Sequence, residues 1–248
     1  MKKKLILLLS RFFNRYFDGY TGGEQRPVFF DVDQTAAPLR QLEMNYKAIR
    51  QEVLALKQTS SLHRYHELDP LQYEISAVSN PESSWKVFML YMMGDFSEVA
   101  LKQCPETCRV LQSIPGIYQC FFSVLEPYKS IPAHNGAYRG YLRYHLGLKV
   151  PEKNPPTIRI RNLYYTWKNG EGVLFDDSWN HEVYNHCDEE RIVLVVDIYR
   201  PMPAMPDRVN RWLTKHLIKR FYAEKMLKKH DSVIPAPRVN VRESKLAS

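Results

Sequence analysis

Between residues 118 and 198 the chain passes through six short β-prone segments with no helix between them, and this run limits the fold most. The segments are 118–125, 141–148, 157–161, 172–175, 181–185 and 191–198. Turn residues such as Asn154-Pro155-Pro156 and Asn169-Gly170 separate several of them. A parallel βαβ sheet needs a crossover helix after each strand, and none is available here. The pattern therefore predicts a mainly β fold with flanking helices, built as a sandwich or jelly roll.

Helical periodicity is confined to the flanks. Leu39, Leu42, Tyr46, Ile49, Val53 and Leu56 recur every three or four residues and predict a helix over 39–57. Residues 60–84, broken by Pro70 and Pro81, read as loop, and 85–93 as a strand entering the core. A short helix is expected over 105–114, stopped by Pro115-Gly116. After Pro201, Pro203 and Pro206 a basic helix is expected over 206–230, with Val209, Trp212, Leu213, Leu217 and Phe221 on one face. Residues 231–248 are polar and read as a disordered tail. The body, 24–205, is taken as one domain.

The N-terminal segment, 1–23, opens with three lysines followed by Leu5, Leu8, Leu9, Phe12, Phe13 and Tyr16 at helical spacing. Its uninterrupted apolar run is too short to span a bilayer, which takes about 20 residues. It lacks the longer apolar core and small-residue cleavage site of a secretory signal. Two readings stand side by side: an amphipathic helix on an anionic membrane, and a helix docked on its own domain. Gly19, Gly22 and Gly23 mark a linker.

With 44% apolar and 25% charged residues in 248, the composition is that of an ordinary globular chain. The net charge of +8 is concentrated at the two ends. That favours an anionic membrane surface at the termini over a basic central groove for nucleic acid. Cys104, Cys108, Cys120 and Cys187 lack zinc-ligand spacing and read as buried, reduced thiols of a cytoplasmic protein, peripheral to the membrane if the termini bind it.

The β-rich region carries the chemistry. His134 and His181 are separated by a long β-type stretch, and Arg191 follows ten residues after the second. This points to a metal beside an anchored carboxylate, with non-haem iron and 2-oxoglutarate as first candidates. The common iron pattern, His-x-Asp/Glu…His, is incomplete, because Gly136 stands where the acid belongs. Arg143 and His145 share a strand face, and so do Arg191, Val193 and Val195. An arginine on an apolar strand demands an anion. A ligand carboxylate would satisfy it, and so would Asp177 or Glu190.

The series Ser123…His134-Asn135-Gly136…Leu142-Arg143-Tyr144-His145-Leu146-Gly147-Leu148…Phe175-Asp176-Asp177-Ser178-Trp179-Asn180-His181-Glu182-Val183…Arg191…Asp197 resembles the aspartyl/asparaginyl β-hydroxylase family over about residues 85–201. The resemblance implies a double-stranded β-helix (jelly-roll, cupin-like) core and an iron site without a carboxylate ligand, so Gly136 becomes a matching feature. By resemblance, His134 and His181 would hold Fe(II). Arg191 and Ser123 would hold the distal carboxylate of 2-oxoglutarate, with Arg143 and His145 lining its pocket. Asp177 would orient a water on the metal, and Glu182 would point away. The implied reaction couples oxidative decarboxylation of 2-oxoglutarate by dioxygen to C–H hydroxylation. The leading expectation for the substrate is a protein or peptide Asp/Asn side chain; a lipid acyl chain or small molecule is the alternative within the same chemistry. A catalytically inactive jelly-roll binding module is the alternative of another class. Two departures stand out: Tyr199-Arg200-Pro201 replaces a His-Pro pair common in the family, and the bacterial lipid A hydroxylases that resemble it keep an acid two residues after the first histidine.

Overall fold

The computed structural model describes residues 2–59, 62–77, 80 and 82–233, with side chains from Arg11 onward. Among the described residues the strands are β1 (Phe29–Phe30), β2 (His63–Arg64), β3 (Trp85–Met92), β4 (Asp95–Phe96), β5 (Ile117–Leu125), β6 (Ile131–Asn135), β7 (Tyr141–Lys149), β8 (Thr157–Ile160), β9 (Leu163–Thr166), β10 (Gly172–Phe175), β11 (Asn180–Tyr184) and β12 (Arg191–Tyr199). The major sheet runs β1-β10-β7-β12-β5-β3-β2, with β4 paired to β3; the minor sheet runs β6-β11-β8-β9. From β5 to β12 the chain passes back and forth between the two antiparallel sheets, which makes the core a double-stranded β-helix. The jelly-roll expectation holds.

The β12 sequence shows why the major sheet sits in the middle. Ile192, Leu194 and Val196 face one way, joining Phe122, Val124, Leu142 and Leu146. Helices Tyr46–Gln58 and Pro105–Gln112 cover this side with Ile49, Val53, Leu56, Val110 and Leu111. Val193 and Val195 face the other way, toward Ile131, Ile158, Ile160 and Val183 of the minor sheet. A strand covered on both faces reads as a nearly continuous apolar run, as this one does.

Several elements depart from expectation. The 39–57 helix is two pieces, Arg40–Met44 and Tyr46–Gln58, interrupted at Asn45. Short helices Tyr65–Leu68, Tyr73–Ser76 and Glu98–Gln103 occupy stretches read as loop or left unassigned. β6 and β9 were not foreseen; both are edges of the minor sheet. The N-terminal helix spans Lys2–Thr21, continuing through Gly19, and is broken by Gly22 at φ 97°. Leu5, Leu8 and Leu9 lie outside the described side chains, but Phe17 is fully buried in the inner core. No helix among the described residues is long and apolar enough to cross a membrane.

The C-terminal helix is longer than expected, Ala204–Leu213, Thr214–Ala223 and Glu224–Val233, and its middle third is π-wound. The i→i+5 bonding there widens each turn and shifts the buried face. Asn210, Leu213, Thr214, Ala223, Met226, Leu227 and His230 point inward, while Trp212 and Phe221, expected on the apolar face, are exposed. Asp231 is no tail residue: it accepts from the Glu98 amide at 3.1 Å and from the Ser97 hydroxyl at 2.5 Å. The remainder of the expected tail, 234–248, lies outside the described residues. All four cysteines are free and buried, and desolvation raises the thiol pKa values of Cys104, Cys108 and Cys120.

Candidate active site

The jelly roll brings His134 and His181 together by strand pairing. β6 and β11 are antiparallel neighbours, and these two residues are register partners. Their ring centroids are 4.2 Å apart. Each imidazole is oriented by its own strand: Nδ1 of His134 donates to the Pro132 carbonyl at 2.8 Å, and Nδ1 of His181 to the Trp179 carbonyl at 2.9 Å. That leaves Nε2 of each ring as the lone-pair nitrogen, the form a metal ligand needs. Burial keeps both rings neutral: it lowers the His134 pKa and, with His134 adjacent, brings His181 down to about 3. Among the described residues no cluster of three or more His, Cys, Asp and Glu gathers to hold a metal.

Gly136 explains the missing acid. A Cβ there would lie 2.8 Å from Oδ1 of Asp177 and 2.9 Å from its carbonyl oxygen. The Asp177 carboxylate thus occupies the space a side chain two residues beyond His134 would fill. The backbone seals the arrangement, the Gly136 amide donating to the Asp177 carbonyl at 2.9 Å. Oδ2 of Asp177 takes hydrogen bonds from Tyr141 at 3.1 Å and Arg143 at 2.9 Å, while buried Oδ1 has no partner. Desolvation, opposed by Arg143, raises the Asp177 pKa to about 7.

The other half of the site sits on the inner face of the major sheet. Val193 of β12 is in register with Ser123 of β5, and Val195 and Asp197 with His145 and Arg143 of β7. Arg191 is 2% exposed. Its Nη2 reaches Ser123 Oγ at 3.3 Å, while Nε and Nη1 have no partner, and its guanidinium lies 4.5 Å from the Trp167 ring centroid. Neither acid considered from sequence serves it: Glu190 is taken by Lys57 and Lys149, and Asp177 by Arg143. Burial alone lowers the Arg191 pKa to about 9. A buried cation with two empty donors is costly unless an anion arrives, so the geometry fits a ligand carboxylate. His145 stacks on Trp167 and meets Phe175 edge-on, with its buried Nδ1 unpartnered.

Arg143, placed by resemblance in the cosubstrate pocket, is already committed. It grips Asp197 through Nε at 2.7 Å and Nη2 at 2.8 Å, and Asp177 through Nη1. It holds Asp177 and Asp197 side by side. Glu182, as expected, points outward and pairs with Arg159. Sequence reasoning missed Trp85, which donates to Ser123 Oγ at 2.9 Å, and also Tyr141 and Trp167. The aromatic run Tyr164-Tyr165-Thr166-Trp167 was the available signal for the last.

Comparisons with known proteins place the chain in a family. The family model for aspartyl/asparaginyl beta-hydroxylase matches residues 43–201. The ornithine lipid ester-linked acyl 2-hydroxylase of Rhizobium tropici is 38% identical over 179 residues, covering 71% of this chain and 62% of its own length. The aspartyl/asparaginyl beta-hydroxylase of Homo sapiens is 32% identical over 168 residues, 66% of this chain and 21% of the human protein. The chain thus spans less than two thirds of these relatives. With its family match running over most of the jelly roll and both histidines, the chain belongs to the aspartyl/asparaginyl β-hydroxylase family.

Proposed function

We propose that this protein is an Fe(II)- and 2-oxoglutarate-dependent hydroxylase. The observation that carries the reading is the buried Arg191 guanidinium, which has two unused donors and no acidic partner, on the sheet facing the His134/His181 pair. His134 and His181 would hold the iron through Nε2. Arg191 and Ser123 would bind the far carboxylate of 2-oxoglutarate, and His145 and Trp167 would wall its carbon chain. Bound there with dioxygen, the metal and cosubstrate supply the oxidation that inserts oxygen into a substrate C–H bond.

The protein's part is positional. The neutral imidazoles present lone pairs without first losing protons. Asp177, clamped by Arg143 and Tyr141 and filling the space that the absent side chain of Gly136 leaves, offers its unpartnered Oδ1 as acceptor to a water beside the pair. Packing of Trp167, Phe175 and Trp85 excludes bulk water from the oxidising centre. The names of the relatives point to two substrate classes, a lipid acyl chain and Asp/Asn side chains. The lipid reading draws support from the Rhizobium alignment, which has the higher identity and covers more of this chain.

The test is succinate formation from 2-oxoglutarate by purified protein with iron. His134→Ala and His181→Ala should each abolish it in folded protein. Arg191→Ala should raise the 2-oxoglutarate requirement while sparing metal binding. Truncating one side of a buried charge contact costs about 2–5 kcal/mol, roughly 30-fold to several thousand-fold in affinity. An unchanged titration would place the carboxylate elsewhere.

A further inference from the structure

The two terminal helices close on one short segment beside the imidazole pair. From the N-terminal helix, Asn14 donates to the Ala137 carbonyl at 3.0 Å and accepts from the Arg139 amide at 2.9 Å, and Asp18 pairs with Arg139. From the C-terminal helix, Asn210 donates to the Gly140 carbonyl and accepts from the Tyr138 hydroxyl, both at 2.6 Å. Tyr138 stands between them, its ring 5.8 Å from that of Phe17. Tyr138 is four residues from His134, at most about 14 Å of extended chain.

With their inner faces committed, the helices turn charged aromatic faces outward. The C-terminal helix shows Met205, Arg208, Trp212, Lys215 and His216 along one stripe at i, i+3, i+4 spacing, Trp212 being 55% exposed. The N-terminal helix shows Arg11, Phe12 and Arg15, with Phe12 67% exposed. Among the described residues, Arg11, Arg15, Arg208 and Lys215 have no carboxylate partner. Lys2–Thr21 holds five basic residues and one acid, and Ala204–Val233 eight basic residues and three acids. Together the two helices carry +9, more than the whole chain's +8, so the remainder is close to neutral.

We propose that these two outward faces form a docking surface for an anionic phospholipid bilayer, bringing the 137–140 segment that follows the His134 strand to the membrane so that the substrate is a membrane lipid. The substrate half of this inference rests on the hydroxylase reading; the docking half does not. Aromatic side chains among unpaired arginines and lysines suit the bilayer interface, where rings bury and cations meet lipid phosphates. A second copy of the chain would bring the same positive surface against itself and be repelled.

The structure supplies its own probe. Of four tryptophans, Trp85, Trp167 and Trp179 are buried, so Trp212 reports the helix surface. The 248-residue chain without added metal or 2-oxoglutarate is mixed with phosphatidylcholine vesicles, with and without phosphatidylglycerol. The expected result is co-sedimentation and a blue-shifted emission with the anionic vesicles only, reversed by high salt. Trp212→Phe should lose the shift and still sediment. The double variant Arg208→Glu/Lys215→Glu should bind at least about tenfold more weakly, since each basic residue near the surface contributes several-fold. No sedimentation with anionic vesicles, or equal binding by the charge-reversed protein, overturns the proposal. A concentration-dependent dimer that Trp212→Ala dissolves would assign the face to a second copy instead. Succinate formation, measured with and without lipid vesicles, separates the two halves. Turnover that vesicles leave unchanged refutes the lipid substrate, whereas absent turnover beside intact vesicle binding refutes the hydroxylase reading alone.

Discussion

At residue scale, two side chains are set by what is missing around them. Arg191 has no carboxylate to neutralise it, so the ligand-free protein bears the desolvation cost. Arg191→Met should therefore raise the stability of the ligand-free protein, by about 1–3 kcal/mol in urea unfolding, while losing 2-oxoglutarate binding. A destabilised variant would mean that Ser123 and the Trp167 face satisfy the guanidinium better than its two empty donors indicate. Gly136 is constrained by space: its φ is not in the left-handed region, and the obstacle to a side chain is the Asp177 carboxylate. Gly136→Ala should cost about 1–3 kcal/mol through overpacking. Gly136→Asp should add repulsion and push Asp177 off its Arg143 and Tyr141 contacts. Hydroxylation per bound iron should fall below wild type at saturating 2-oxoglutarate; equal or higher turnover would show that Asp177 has no positioning role.

At the scale of elements, legibility in the sequence followed burial. β5, β7 and β12 announce themselves because both faces are covered and every position must be apolar or specially paired. β6, which carries His134, did not: it is a five-residue edge strand with Pro132 inside and only Ile131 fully buried. Edge strands tolerate proline and bury little, so the signal of alternation fades where the metal-ligand candidate sits. The commitment of Arg143 to Asp177 and Asp197 was also illegible, because it joins residues 34 and 54 positions apart. The C-terminal helix was legible as a helix but not in phase: its α-helical first third buries Pro206, Asn210 and Leu213 and leaves Trp212 outside, and its π-wound third turns Phe221 outward. Its end is the stronger anchor. His230, fully buried, accepts the Met89 amide at 3.1 Å and meets the Phe88 ring at 4.7 Å. His230→Ala would leave that amide unpaired and open a cavity, at an expected cost of about 2–4 kcal/mol in urea unfolding. A loss below half a kilocalorie per mole would mean that the buried imidazole does not anchor the helix end.

At the scale of the whole molecule, the candidate site is a seam. His134 and His181 belong to the minor sheet, and Ser123, His145 and Arg191 to the major one, so the groups that would hold the metal and those that would hold the carboxylate meet only across the core. Metal alone would touch one sheet, and 2-oxoglutarate alone the other. A metal-chelated 2-oxoglutarate would tie both together, and its binding free energy would oppose their separation on unfolding. Thermal unfolding with a redox-inert divalent metal, with 2-oxoglutarate and with both should then show more than additive stabilisation. At a hundredfold excess over Kd the pair contributes about 2.7 kcal/mol, which raises Tm by roughly 5–11 °C in a chain of this size. His134→Ala and His181→Ala should abolish the synergy and leave the small effect of 2-oxoglutarate alone, whereas Arg191→Met should leave the effect of metal alone. Strictly additive shifts in the wild type would mean that the two ligands bind without touching, and the imidazole pair and the guanidinium would then be separate sites rather than two walls of one.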